Sequence, residues 1–338
     1  MRRNPSLGFS FKITRRKEAI MNQIPVTVLT GYLGAGKTTL LNRILTEQHG
    51  KKYAVVVNEF GEIGIDNDLV VDADEEVFEM NNGCICCTVR GDLIRILGGL
   101  MKRKDSFDGI LIETTGLADP APVAQTFFVD DDVRQRTWLD SIVTVVDARH
   151  VFQRLEDSHE ALEQIAFADV LLLNKTDLVS ADDLEAVETR IRSINPTAII
   201  HHTERCALDL SSVLGQHAFD LDRILAIEPD FLSEDDHEHD DEVTSVCLRS
   251  DQPMSGIRLT GWLQDMLAER GQDILRTKGI LSIDGQEKQY VVQAVHMLLE
   301  GNFTKPWDTN ERRESRLVFI GRNLDEAELR QQFDACIA

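Results

Sequence analysis

The segment spanning residues 26–45 constrains the fold more strongly than any other part of the chain. It opens with a β-branched apolar run, typical of a buried strand, and continues into Gly-x-x-x-x-Gly-Lys-Thr at residues 31–38. A helix-forming stretch, residues 40–45, follows directly. A glycine-rich turn that binds nothing could share the pattern, but the order strand, loop and helix favours a phosphate-binding loop.

Each residue type in this loop has a physical role in holding phosphate. Glycines let backbone N–H groups point inward, and the helix N-terminus adds positive potential for phosphate oxygens. We expect Lys37 to reach the β- and γ-phosphates and the Thr38 hydroxyl to bind Mg²⁺. The predicted nucleotide contacts of the loop are Gly31, Gly34, Ala35, Gly36, Lys37, Thr38 and Thr39.

Short apolar runs alternate with helical patterns through most of the chain. Strands are predicted at residues 26–30, 53–57, 77–80, 109–112, 141–146, 170–173 and 198–201. This alternation predicts an α/β fold with a mostly parallel sheet and helices on both faces. The residues suited to chemistry follow the strand ends, which is where ligands bind in open sheets of this kind.

Composition divides the chain into four parts. Residues 1–21 are basic and expected to be disordered; an upstream extension or an early start codon explains them better than an organelle transit peptide. Residues 22–225 form the predicted P-loop domain, and residues 226–242 form an acidic linker. His237 and His239 in this linker could catch metal or simply belong to a solvated charged segment.

The remaining residues, 243–338, are predicted to form a smaller α+β domain. Its pattern reads strand, helix, three strands, helix, which suggests helices on one face of an antiparallel sheet. The predicted strands are 243–249, 279–283, 289–298 and 316–320, and the predicted helices are 255–270 and 325–336. His296 and Trp307 are expected to pack in this domain, whereas His201 and His202 are expected in a loop beside the nucleotide.

Charge and cysteine usage limit the partners. The formal net charge is −22 over 338 residues, which disfavours nucleic acid and anionic lipid as partners. No apolar run approaches the length of a membrane-spanning helix, so no membrane partner is expected. We see no secretory signal, and three clustered cysteines suit a reducing compartment, so a cytoplasmic location is predicted.

The tetrapeptide Asn174-Lys175-Thr176-Asp177 ends the predicted strand at 170–173. The Asp177 carboxylate can accept hydrogen bonds from guanine N1–H and the 2-amino group, neither of which adenine offers. Such a tetrapeptide is weak alone, and Asp177 could instead cap a helix. Downstream of a phosphate-binding loop, it predicts that GTP or GDP is the nucleotide, contacted by Asn174, Lys175 and Asp177.

A second motif, Glu113-Thr114-Thr115-Gly116, ends the strand at 109–112. Glu113 can hold Mg²⁺ directly or through water, and the Gly116 N–H can contact the γ-phosphate and move when that phosphate leaves. With Lys37 and Thr38, these residues form the predicted catalytic set.

The run Cys84-x-Cys86-Cys87 predicts a transition-metal site, because thiolates are soft ligands for zinc, cobalt or Cu(I). A fourth ligand must come from elsewhere, and Glu59 or Asp66 in the preceding loop is the best candidate. Buried small hydrophobic residues or a redox pair are the alternatives.

Together these motifs resemble the CobW family of metal-handling GTPases. The segments that carry the resemblance are Gly31-Tyr32-Leu33-Gly34-Ala35-Gly36-Lys37-Thr38-Thr39, Asn58-Glu59-Phe60-Gly61, Gly83-Cys84-Ile85-Cys86-Cys87, Glu113-Thr114-Thr115-Gly116 and Asn174-Lys175-Thr176-Asp177. The resemblance extends from Ile24 to the C-terminal domain. Tyr32 replaces a commoner Phe, the histidine tract is short, and the basic extension lies outside the match.

The resemblance implies a GTPase that delivers a transition metal to a client metalloprotein, with zinc foremost and cobalt or nickel in some members. Cys86, Cys87 and Glu59 match the positions that bind metal in that family. Coupled GTP and metal binding is our leading hypothesis. A nucleotide-switched interaction module with a structural zinc, or a cobalt or nickel cofactor maturation factor, is the alternative, and homo-oligomerisation stays open.

Overall fold

The computed structural model describes residues 23–47, 50–58, 77–80, 87–102, 107–219, 243–308 and 312–338. For residues 58, 77–80 and 87–90 it describes the backbone. The predicted basic extension at 1–21 and the predicted linker at 226–242 lie outside these residues. Within the described part, no helix is both long enough and apolar enough to cross a membrane.

The first domain contains a seven-stranded sheet in the order β3-β2-β4-β1-β5-β6-β7, and all its neighbouring strands are parallel. The strands are β1 (Ile24–Thr30), β2 (Tyr53–Asn58), β3 (Val77–Met80), β4 (Gly109–Glu113), β5 (Thr137–Asp147), β6 (Val170–Asn174) and β7 (Ile199–Thr203). The phosphate-loop strand β1 is therefore central, with β4 on one side and β5 on the other. The predicted α/β fold is confirmed.

Helices cover both faces of this sheet. They are α1 (Lys37–Thr46), α2 (Cys87–Leu100), α3 (Ala121–Val129), α4 (Asp131–Arg136), α5 (Val151–Asp157), α6 (His159–Phe167) and α7 (Ala181–Ile194). Neighbouring residues of β1 face opposite sides: Val28 belongs to one buried cluster and Leu29 to the other. Burial on both faces explains why the strands are continuous apolar runs rather than alternating ones.

Two local expectations for this domain were wrong. His201 and His202 lie inside β7 rather than in a loop after it. The apolar periodicity of Leu93, Ile96, Leu97 and Leu100 predicts a helix over residues 92–102, whereas helix α2 begins at Cys87. In both cases the strand or helix includes polar or small residues that lie outside the apolar stretch from which it was predicted.

The second domain is a five-stranded antiparallel sheet in the order β11-β10-β9-β12-β8. Its elements are β8 (Thr244–Ser250), α8 (Gly256–Arg270), β9 (Ile274–Leu281), β10 (Lys288–Val295), β11 (Leu298–Pro306), β12 (Ser315–Gly321) and α9 (Glu326–Asp334). The predicted α+β class is correct, but the sheet has one strand more than the sequence pattern indicated. The predicted strand 289–298 ends early because the chain turns at His296, whose φ is +50°.

Each face of the second sheet has a different role. Helices α8 and α9 cover one face, where Phe319 packs with Leu263 and Phe333. On the other face, Val318 and Ile320 join the buried cluster of the first domain. The two sheets are thus connected through a continuous apolar interface that includes α6 and α7.

A buried ionic group lies in this interface. Asp169, immediately before β6, accepts hydrogen bonds through Oδ1 from Arg276 Nη2 at 2.7 Å and Lys278 Nζ at 2.6 Å. Its Oδ2 accepts from the Ile142 backbone N–H at 2.9 Å. The Arg276 guanidinium also lies 4.2 Å from the centre of the Phe219 ring. A buried ion pair offsets the cost of removing its charges from water only when it has short, well-aligned hydrogen bonds such as these.

Candidate nucleotide site

The loop between β1 and α1 has the backbone conformation that its glycines predict. Gly31, Gly34 and Gly36 have φ values of +137°, +77° and +121°. A Cβ at Gly31 would lie 2.2 Å from the Val145 carbonyl oxygen, and one at Gly36 would lie 2.6 Å from the Asn174 side-chain nitrogen. Any L-residue other than glycine would therefore be both strained and obstructed at the two ends of the loop.

The N-terminus of helix α1 follows directly on this loop. Its N-cap is Gly36, which supplies no side-chain hydrogen bond, so no cap competes for the first N–H groups of the helix. Lys37 is buried, and its Nζ donates to the Gly31 and Tyr32 carbonyls at 2.7 and 3.4 Å. The ammonium thus lies beside the backbone that is predicted to hold phosphates. Thr38 is half-buried and Thr39 is exposed at the same helix end.

Asn174 joins three segments of the predicted guanine site. Its Nδ2 donates to the Ala35 carbonyl at 2.9 Å, and its Oδ1 accepts from the Cys206 N–H at 2.9 Å and the Thr203 hydroxyl at 3.2 Å. These bonds connect the end of β6 with the phosphate-binding loop and with the segment after β7. The contacts of Asn174 are therefore structural, and they fix the space between these loops.

Lys175 is also tied to the phosphate-binding loop. It has a φ of +64°, and its Nζ donates to the Gly34 carbonyl and to Asp147 Oδ2, both at 2.7 Å. Asp177 lies in the short 3₁₀ helix Thr176–Leu178 and is exposed. The structure thus brings the three predicted guanine-site residues to the edge of the sheet that carries the phosphate-binding loop.

Asp147 is a member of the site that the motifs did not identify. It ends β5 and accepts from Lys175 and from His150 Nδ1, the latter at 3.0 Å. Burial acts to raise the pKa of Asp147, but the hydrogen bonds from Lys175 and His150 outweigh it and hold the pKa below its ordinary value. Asp147 therefore remains ionised and orients Lys175. Its position at the end of a buried strand was the available signal.

The segment after β7 was also missed. Arg205 and Cys206 have φ values of +48° and +55°, and Arg43 of α1 donates to the Cys206 and Leu208 carbonyls. Burial raises the pKa of the Cys206 thiol to about 11, so the thiol is neutral, and its Sγ lies 3.4 Å from the Gly36 carbonyl oxygen. This segment therefore packs against the phosphate-binding loop. It contains no motif from which its position could be predicted.

The predicted γ-phosphate motif lies against the other side of the loop. Glu113 is the buried last residue of β4, and the Thr114 N–H donates to the Leu29 carbonyl at 2.9 Å. A Cβ at Gly116 would lie 2.6 Å from the Leu33 backbone nitrogen, so Gly116 fits closely onto the phosphate-binding loop. Glu113 and Gly116 thus share one sheet edge with Lys37 and Thr38.

Most of the predicted metal ligands lie outside the described residues. Glu59, Asp66, Cys84 and Cys86 are not described, and only the backbone of Cys87 is, at the start of α2. In the described part of the chain, no group of three or more histidine, cysteine, aspartate or glutamate side chains is placed to hold a metal ion. The topology nevertheless places the ends of β2 and β3 side by side, with Asn58 opposite Met80.

Comparison with known proteins decides the family. The CobW/HypB/UreG nucleotide-binding domain profile matches residues 25–202, and the cobalamin synthesis protein CobW C-terminal domain profile matches residues 243–337. The chain belongs to the CobW/HypB/UreG family. This membership confirms the predicted family and the predicted class of enzyme, a GTPase.

One relative and one solved structure match nearly the whole chain, and a second relative matches part of it. The zinc chaperone YjiA of Escherichia coli is 37% identical over 318 residues, which cover 93% of this chain and 98% of the relative. The zinc-regulated GTPase metalloprotein activator 1 of Schizosaccharomyces pombe is 43% identical over 210 residues, which cover 60% of this chain and 51% of the relative. The crystal structure of Zn(II)-bound YjiA GTPase from E. coli matches with a TM-score of 0.76 at 32% identity and covers 94% of this chain and 100% of its own.

Proposed function

We propose that this protein is a GTP-hydrolysing metallochaperone that binds zinc at Cys84, Cys86 and Cys87, with Glu59 or Asp66 as the fourth ligand. In this proposal, GTP hydrolysis changes the affinity for zinc and so drives its delivery to a client metalloprotein. The similarity to a zinc chaperone over nearly the whole chain supports the choice of zinc over cobalt or nickel. Thiolate ligands suit this cargo.

One topological observation carries the coupling. Strand β2 lies between β3 and β4, with Asn58 opposite Met80 and Val57 opposite Glu113. The segments that begin at Glu59 and follow Met80 therefore leave the sheet at the edge where Glu113 lies. A shift of the Glu113–Gly116 motif on loss of the γ-phosphate would act first on these neighbours.

For the nucleotide, we propose contacts to Gly31, Gly34 and Gly36 and to the other residues predicted above. A cavity of about 250 Å³ adjoins the loop, and Gly34, Ala35, Asp147 and Lys175 are among its lining residues. Thr38 and Glu113 would hold Mg²⁺, which supplies charge neutralisation for the phosphates when bound. Lys37 would orient the phosphates, and the Gly116 N–H would contact the γ-phosphate.

The coupling is tested by measuring zinc affinity of the full chain with a non-hydrolysable GTP analogue and with GDP. We expect different affinities, and linkage requires that zinc change the ratio of GTP-analogue affinity to GDP affinity by the same factor that separates the two zinc affinities. The triple change Cys84→Ser, Cys86→Ser and Cys87→Ser should abolish zinc binding. Cys247→Ser, in the second domain, is the matched control and should leave it intact. Equal zinc affinities in both nucleotide states would contradict the coupling.

The same samples separate this function from a structural zinc site. Zinc that remains bound through many rounds of GTP hydrolysis, in the presence of a competing chelator, would support the nucleotide-switched interaction module instead. Selective retention of cobalt or nickel over zinc would support the cofactor maturation role.

A further inference from the structure

We propose that Gln164 of α6 is a positioning residue for GTP hydrolysis, because it fixes the loop that contains Gly116. Its Nε2 donates to the Gly116 carbonyl at 3.2 Å and to the Ala118 carbonyl at 3.1 Å. The Gln164 side chain is buried, with 1% of its surface exposed. A single carboxamide therefore satisfies two carbonyls of the segment that follows Glu113.

The loop is held on its opposite side by the phosphate-binding loop. Gly116 fits against Leu33 so closely that an added Cβ would lie 2.6 Å from the Leu33 backbone nitrogen. Within the loop, the Ala118 N–H donates to the Thr115 carbonyl at 3.1 Å. The Gly116 peptide is thus enclosed between Leu33 and Gln164, and its orientation depends on both.

Gln164 can act as a fixed reference because α6 is anchored to the sheet. The Thr144 hydroxyl of β5 donates to the Gln164 backbone carbonyl at 2.8 Å. At the C-terminal end of α6, Asn195 Nδ2 donates to the carbonyls of Ile165 and Ala168 at 2.8 and 2.9 Å. The helix therefore cannot follow a moving loop without losing these bonds.

This arrangement has a specific consequence for the reaction. Gly116 is proposed to contact the γ-phosphate, so the inference rests on that part of the proposed function and not on zinc coupling. If Gly116 moves between the GTP and GDP states while α6 stays in place, its hydrogen bond to Gln164 must lengthen or break. Gln164 thereby sets how well the Gly116 N–H is aimed at the γ-phosphate.

The test is Gln164→Glu in the full chain, with hydrolysis measured without added zinc. Glutamate keeps the size of the side chain but replaces the donor with an oxygen that faces two carbonyls. We expect kcat to fall about tenfold or more, because the Gly116 and Ala118 carbonyls lose their shared donor and the Gly116 peptide is no longer held in one orientation. We also expect weaker binding of a non-hydrolysable GTP analogue, with GDP affinity unchanged.

Gln293→Glu is the matched control, since it also replaces a buried amide donor to a backbone carbonyl, that of Phe219, but lies in β10 of the second domain. It should lower the melting temperature and leave both kcat and the ratio of GTP-analogue to GDP affinity unchanged. A second variant, Gln164→Asn, keeps the amide on a shorter arm and should give an intermediate kcat. Wild-type kcat and affinity ratio in both Gln164 variants would overturn the proposal, as would an equal loss of kcat in Gln293→Glu. Loss of zinc coupling with normal Gln164 dependence would contradict only the metallochaperone function.

Discussion

In the proposed function, the Asp177 carboxylate selects guanine over adenine, and this side chain is exposed. We expect Asp177→Asn to weaken GTP binding about a hundredfold, because an amide cannot accept both N–H groups of guanine. Isothermal titration with GTP, ATP and a xanthine nucleotide measures this. The xanthine base has an oxygen in place of the 2-amino group, so it should bind the variant better than GTP does. An unchanged preference for GTP over ATP would refute the role of Asp177.

Asp119 makes stability depend on pH. Burial raises its pKa to about 6, opposed by the hydrogen bond from the Ala121 N–H and reinforced by the charge of Glu163. Because the folded-state pKa exceeds the unfolded value, the stabilising contribution is complete at low pH and is lost as pH rises through about 6. Asp119→Asn keeps an acceptor for Ala121 and removes this charge.

We therefore expect the melting temperature of Asp119→Asn to exceed that of the wild type at pH 8, and the difference to shrink as pH falls towards 4. Thermal denaturation monitored by circular dichroism measures both. Thr126→Val, which removes a hydrogen bond from an uncharged side chain to the Pro122 carbonyl, is the control and should show no such convergence. A pH-independent difference for Asp119→Asn would contradict the shifted pKa.

At the residue level, the sequence predicts residues that belong to local motifs but not residues whose role depends on contacts with distant parts of the chain. The phosphate-binding loop, Glu113 and Lys175 follow from local patterns, and the structure brings them to one sheet edge. Asp147 and Gln164 could not be assigned in the same way, because their partners come from distant parts of the chain. Gln164 lies in a helix without a motif, and only its contacts to Gly116 and Ala118 reveal a role.

Among the elements, the buried strands of the first domain were the most predictable, since an apolar run marks most of them. Strand β11 was missed because it is largely half-exposed and contains Glu300, Gly301 and Asn302, which break any alternation. Helix α3, with the sequence APVAQTFFV, is apolar on most sides and lacks the periodicity that reveals α7. An edge strand without alternation and a helix that is apolar on most sides therefore escaped prediction.

Helix α2 offers a test at this scale. Gly98 is exposed in its last turn, and a Cβ there would meet nothing within 4 Å. We expect Gly98→Ala to raise the free energy of unfolding by about 0.5–1 kcal/mol, because alanine loses less backbone entropy in a helix. Urea denaturation measures the change. Gly285→Ala is the contrasting control: its φ of +70° should make the same replacement destabilising. Destabilisation by Gly98→Ala would contradict the helical assignment.

For the whole molecule, the order of two domains was predictable from the chain, but their interface was not. Asp169 belongs to the first domain and its two cations, Arg276 and Lys278, to the second. Nothing local in the sequence indicates that these charges meet. We expect Asp169→Asn to destabilise the protein by about 3–5 kcal/mol, because it leaves two buried cations without a carboxylate.

Urea denaturation followed by tryptophan fluorescence and circular dichroism measures this loss. Lys278→Met is the matched control; it keeps the pair of Asp169 with Arg276 and should cost less than Asp169→Asn. Trp138 reports on the first domain and Trp262 on the second, so single-tryptophan variants show whether the domains unfold together. A loss below about 1 kcal/mol for Asp169→Asn would indicate that water replaces the missing carboxylate and that the interface does not depend on it.

The central place of β1 also bears on how the protein is made. Val26 is synthesised early, yet its sheet partners are Ile110 on one side and Leu139 on the other. Strand β1, which leads into the phosphate-binding loop, therefore has both neighbouring strands only after β5 has emerged from the ribosome. Nascent chains that end before Asp147 should have no nucleotide pocket, so GTP can assist the maturation of this protein only late in its translation.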